Sequence, residues 1–192
     1  MASSFDFAAA RLTMVEGQVR TADVTDTAIV DAMRRVEREA LCPPDKAAMA
    51  YADMEIPYAE GRWMMRPRNI AKLLQAIQPR AGERALCIAA PYGAAVLEAM
   101  GLSVERLEGE DLTAVPDNGF DVVVSEGAAA KAPQAWVDAL ADGGRLGVVE
   151  RRGPVGKARL YLNSEGSISS REVFDSAAPL LPEFAPRPSF AF

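Results

Sequence analysis

No histidine occurs anywhere in the chain, and cysteine occurs only twice, as Cys42 and Cys87. The first absence removes the commonest general base, the commonest metal ligand and both the Ser-His and Cys-His nucleophilic systems. The second leaves too few thiols for a disulfide framework or a paired-cysteine metal site. Positive charge is also short. Lys plus Arg number 21 against 27 Asp plus Glu, a net charge of −6. That balance argues against a nucleic-acid partner, because phosphate contacts need a basic surface. No apolar run approaches the ~18 residues of a membrane span, so no membrane partner is expected. Residues 1–12 lack the basic start and long apolar stretch of a secretory signal, which makes the cytoplasm the expected location. Any chemistry must run on carboxylates, hydroxyls, backbone groups or a bound cofactor.

What is present is ordinary for a folded chain. Hydrophobic residues make up 49% and charged residues 25% of 192 positions, enough for one compact domain with a small helical subdomain. Thr25 or Asp26 can cap a helix on which Ile29, Val30, Met33 and Val36 share a face. Pro43-Pro44 break that pattern and open a short helix through Ala50. Pro67 suits the first turn of a helix carrying Ile70, Leu73, Leu74 and Ile77, ended by Pro79 to Gly82. From Arg84 onward short apolar runs alternate with helical stretches. Strands are expected at 85–90, 102–107, 121–125 and 145–150, and helices at 92–100 and 133–141, the second stopped by Gly143-Gly144. Two further strands, 158–163 and 170–174, meet at Glu165-Gly166. The Pro-rich tail, 179–188, reads as a surface strap. Alternating strands and helices closed by a hairpin imply an α/β layer fold with a mainly parallel sheet.

Several of these stretches resemble one family. Residues 14–20, Met-Val-Glu-Gly-Gln-Val-Arg, look like the opening helix of the protein-L-isoaspartate O-methyltransferases. Residues 31–38 are similar to that family's "AMRxVxR" helix, and Ala50-Tyr51-Ala52-Asp53 with Ile56-Pro57 to its "AYxDxxLPI" segment. Phe120 to Val124 and Leu140 to Leu146 are similar to its fourth strand and its "LxxGGRL" entry into the fifth. The resemblance implies a Rossmann-like S-adenosylmethionine-dependent methyltransferase fold with a shortened middle over 67–192, preceded by an N-terminal helical subdomain over 1–66. It also implies an activity, methyl transfer from S-adenosylmethionine to the stray carboxylate of an isoaspartyl residue. The partner would be an isoaspartyl-containing protein or peptide. No metal is implied, and catalysis would be mostly positioning.

The chain departs from the family's pattern where that cofactor belongs. The family's acidic and glycine-rich "LEIGTGSGY" is answered here by Leu86-Cys87-Ile88-Ala89-Ala90-Pro91-Tyr92-Gly93. Without gaps, Cys87 replaces the acid, Ala89 and Pro91 replace two glycines, and Gly93 keeps the third. Aligned from the following helix, the loop is instead two residues short. Pro91 also removes an N–H donor. The "SVER" glutamate that contacts ribose hydroxyls in the family corresponds to Glu105. Only residues 107–119 are left for a helix and a third strand, with Glu110-Asp111 as the alternative remnant of the acidic turn. Glu126-Gly127 follow the fourth strand, where open α/β sheets bind ligands. Ala89, Pro91, Gly93, Glu105 and Glu126 are therefore the expected cofactor-binding positions. In the family's "TISQP" substrate loop, Trp63 takes the threonine place and Met65 the serine place. Arg66 or Arg68 offers a guanidinium for a carboxylate. Trp63, Met65 and Arg66 are the expected substrate-binding residues. Three readings of function follow: an isoaspartyl methyltransferase; a catalytically inactive pseudo-methyltransferase that works as an interaction or scaffold protein, with itself or with another protein; and a binder of a different small ligand in the altered crevice.

Overall fold

The structure is a computed structural model that describes residues 5–186. Helix α1 (Phe7–Met14) starts at Asp6, whose carboxylate accepts the Ala9 N–H, and runs on through a wide π-type turn, Val15–Val19, and a tight turn, Arg20–Ala22. Helix α2 (Thr27–Arg35) is capped by Asp26, which accepts from the Ala28 and Ile29 N–H groups. Ile29, Val30 and Met33 are buried, while Val36 lies just past the helix in extended backbone. Residues 43–50 form no regular α-helix, only a single 3-10 turn at Ala47–Met49. The region expected to be helical also holds a hairpin, β1 (Ile56–Ala59) and β2 (Arg62–Met64), turning at Gly61 with φ +64. Helix α3 (Pro67–Ile77) follows, with Pro67 in its first turn and Gln78 closing it in the left-handed conformation.

The remaining elements are β3 (Arg84–Ile88), α4 (Pro91–Ala99), β4 (Ser103–Leu107), β5 (Phe120–Ala129), α5 (Gln134–Asp138), β6 (Leu140–Glu150), β7 (Gly156–Ser164) and β8 (Ser167–Ser176). They build one six-stranded sheet in the order β4-β3-β5-β6-β7-β8. The first three pairings are parallel and the last two antiparallel. Helix α5 is shorter than expected. Leu140 already belongs to β6, so Gly143-Gly144 lie inside a strand and do not end a helix. A Cβ on Gly144 would stand 2.7 Å from the Phe120 carbonyl oxygen, so the close strand approach explains the glycine better than a helix stop does. The β7–β8 turn falls at Glu165-Gly166, both at positive φ, as a tight hairpin requires.

Residues 108–119 contain neither helix nor strand, and β4 pairs only with β3. The middle of the sheet is thus shortened by a whole strand–helix unit, and β4 is left as an edge. Side chains alternate across the sheet. Ala85, Cys87, Val122 and Val124 face a core shared with α1, α2, α3 and α4. Leu86, Ile88, Val123 and Leu146 face a second core around Trp136 of α5. The first core takes in Met14 through Ala178, so helical region and sheet are packed as one body.

Candidate functional site

From β3 the chain winds outward to β4 in one direction and then returns to place β5 on the other side. The carboxyl ends of β3 and β5 therefore flank a topological switch point, the place where open α/β sheets hold ligands. Two loops line it: the Ala89-Ala90 turn leading into α4, and a bulge in β5. Along that bulge β5 advances from Val124 to Ala128 while β6 advances only from Gly147 to Val149. Ser125 to Gly127 thus stand against Val148 alone, and the bulge turns Glu126 out of the ladder and toward α4.

Ala89 has φ +44, a backbone conformation that glycine adopts without strain, and its N–H donates to the Leu107 carbonyl at 3.0 Å. The turn therefore keeps a glycine-like path with a methyl group added. Pro91 is the first residue of α4, where a missing N–H costs the helix nothing. That same missing N–H leaves one donor fewer for any acceptor that approaches the helix start.

Glu126 is the acceptor found there. Its side chain is wholly buried. One carboxylate oxygen accepts the Gly93 N–H at 2.6 Å, and the other accepts the Met65 N–H at 2.9 Å. Burial pushes its carboxyl pKa up, opposed by the positive charge of Arg38 and by the Gly93, Met65 and Tyr92 N–H groups. Arg38 is itself completely buried, donates to the carbonyls of Ala50 and Met65 at 2.8 and 2.7 Å, and lies 4.4 Å from the centre of the Tyr92 ring.

A strap from the C-terminal tail closes the crevice from above. Ala128 donates to Pro179, Leu181 donates back to Ala128, and Ala130 donates to Phe184. Phe184 meets Trp136 edge-on, and Glu183 pairs with Arg62. The tail is therefore a strap as expected, but Ala178 and Leu181 anchor it in the interior. The expected end of the strap, Pro188, lies outside the described residues. The Leu181 side chain lies so close over Gly127 that a Cβ there would stand 2.6 Å from its Cγ. Ala89, Ala90, Tyr92, Ser125, Glu126 and Leu181 are each no more than 1% exposed, so solvent does not reach the crevice.

The other expected residues are dispersed. Glu105 lies two residues short of the end of β4, and its carboxylate is bound by Arg84 at 2.9 Å, at the opposite, amino end of β3. The carboxylate that does stand at the carboxyl end of β4 is Glu108, which receives the Tyr58 hydroxyl and whose pKa burial pushes up. It lines an open cleft of about 620 Å³ with Tyr58, Arg62, Glu110 and Glu183. Met65 is buried and meets Glu126 through its backbone, Trp63 is 36% exposed on β2, and Arg66 is paired with Glu55 at 2.8 Å. Trp63, Met65 and Arg66 thus point in different directions. Cys87 is a core residue whose thiol pKa burial pushes up. Sequence reasoning passed over Arg38, Glu108 and Leu181. For Arg38 a signal existed, its place as the last residue of the "AMRxVxR" stretch. For Leu181 there was none.

A sheet wound both ways from β3, with a helix start and two loops at the switch point, is the Rossmann-like arrangement of ligand-binding α/β proteins. No family model matches the chain. Individual proteins do. It is 33% identical over 185 residues to a protein-L-isoaspartate O-methyltransferase from Methylorubrum populi, covering 82% of this chain and 87% of that one. It is 31% identical over 169 residues to a protein of the same description from Aeropyrum pernix, covering 71% and 65%. A crystal structure of a Plasmodium falciparum protein-L-isoaspartate O-methyltransferase in complex with S-adenosyl-L-homocysteine superposes with a TM-score of 0.74. The sequence identity there is 15%, over 94% of this chain and 100% of that one. The chain belongs to the protein-L-isoaspartate O-methyltransferase family. At its switch point, Ala89 and Pro91 stand where the family's pattern has glycines, the Glu126 carboxylate accepts the Gly93 N–H, and Leu181 packs over Gly127.

Proposed function

We propose that this family member has given up methyl transfer and acts through its surface, as a pseudo-methyltransferase that binds another protein. The observation that supports the reading is Glu126, whose buried carboxylate takes the N–H groups of Gly93, in the first turn of α4, and Met65. A cofactor would have to displace a charge already satisfied there, and move Leu181 as well. The shortened middle points the same way. No strand lies beyond β4, so the outer side of a bound nucleoside would face no further strand of the sheet. The test is transfer of labelled methyl from S-adenosylmethionine to an isoaspartyl peptide, read as methanol released from the ester. The expected result is no label above the peptide-free blank. Turnover above that blank would overturn the proposal.

One observation favours a second reading, the family's own reaction on an isoaspartyl protein or peptide with S-adenosylmethionine as donor. The cleft beside Glu108 has room for a ligand at the carboxyl end of β4, and Glu108 is a carboxylate placed to receive ribose hydroxyls there. In that reading Glu126 and Leu181 move aside when the cofactor binds, and the same assay gives turnover.

A further inference from the structure

Resting on the reading of a closed crevice, we infer that the start of α4 is a carboxylate-binding site which the chain fills with its own Glu126. Four features carry this. The residue before α4 is Ala90, which has no side-chain oxygen, so the helix start has no cap of its own. The first N–H groups of a helix lack partners within it and attract anions. Here the cap arrives from a residue 33 positions away. A second donor, the Met65 N–H, converges on the other oxygen of the same carboxylate from a different element. Glu126 reaches both from a bulge in β5, an irregular stretch that re-aims one side chain. Finally, the surroundings are dry and cationic. Arg38 is completely buried, and its Nη1 has no hydrogen-bond partner. Two converging N–H donors with a buried guanidinium nearby suit the carboxylate of an amino acid or a small organic acid.

Chemical rescue tests this site. In Glu126→Ala the two N–H groups lose their acceptor and a carboxylate-sized hole opens. Acetate at about 100 mM is then expected to raise the melting temperature of that variant by about 4 °C, by mass action on the folded state. It should leave the wild type and Glu126→Gln unmoved, and chloride at equal ionic strength should rescue nothing. Equal shifts in all three proteins, or none in Glu126→Ala, would overturn the inference. The proposed function fails separately, on methyl transfer by the wild type, so the two failures are told apart.

Discussion

The two ends of the parallel strands handle charge in opposite ways. At the amino end, Arg145 grips Glu83 through two bonds of 3.0 and 2.9 Å and also donates to the carbonyls of Ile77, Gln78 and Asp121. Beside it Arg84 holds Glu105 and Asp117, with its side chain 41% exposed. These charges each have an opposite charge within reach, and water wets the cluster. At the carboxyl end a single carboxylate, Glu126, is buried and satisfied by backbone N–H groups, with Arg38 as the positive charge in the interior. The wet end is a structural clamp, each pair of which contributes little. The dry end has the donor arrangement of a ligand site with a side chain as the ligand. A fold can thus keep the architecture of binding while losing the vacancy.

Substitutions can break that contrast, and the largest effect belongs to the dry end. Arg38→Leu removes a buried guanidinium, its two carbonyl bonds and its stacking on Tyr92. It should lower unfolding free energy by about 3 kcal/mol in denaturant titration, with Glu126 left facing no positive charge. Gly127→Val forces a side chain into Leu181. It is expected to cost about 2 kcal/mol in the same titration and to expose the strap to limited proteolysis. Arg145→Ala should cost about 1 kcal/mol, a loss that shrinks in high salt because the pair is partly solvated. For Arg84→Ala no resolvable change in melting temperature is expected, despite its ion pairs of 2.9 and 3.0 Å. A large loss from Arg84→Ala with none from Arg38→Leu would invert the contrast.

Acidity sharpens the same comparison. Glu126 has a folded pKa raised above the ordinary glutamate value of 4.5. The folded state therefore keeps a proton that the unfolded chain releases. The stabilising share of that proton is present below 4.5 and is lost as pH rises through the raised value. Glu126→Gln has no such proton. The stability of the wild type relative to Glu126→Gln should accordingly fall as pH rises through the window above 4.5. A difference that stays flat or rises over that window would mean that burial does not govern this carboxyl.

Much of the scaffold was legible in the sequence because its signals are local. Asp26 caps α2, Pro67 opens α3, and Val122 to Val124 form a buried strand, each for a reason carried by neighbouring residues. The β1–β2 hairpin went unread because its strands are short and only Gly61 marks the turn. The early start of β6 was hidden because Gly143-Gly144 read as a helix stop while serving close strand packing. The site was half legible. The altered glycines and Glu126 could be named, but Glu126 meeting Gly93 and Met65, Arg38 stacking on Tyr92 and Leu181 covering Gly127 all join residues far apart in the chain. Glu105 and Glu108 show the limit well. A strand motif favoured the first, but only strand register reveals that the second reaches the carboxyl edge.

The most direct test of the closed crevice is calorimetric titration of the full-length protein with S-adenosyl-L-homocysteine and with S-adenosylmethionine. A crevice filled by Glu126 and Leu181 gives no binding heat and no thermal shift up to millimolar ligand. Saturable binding in the micromolar range would contradict it, because both side chains would then have to leave the space they fill.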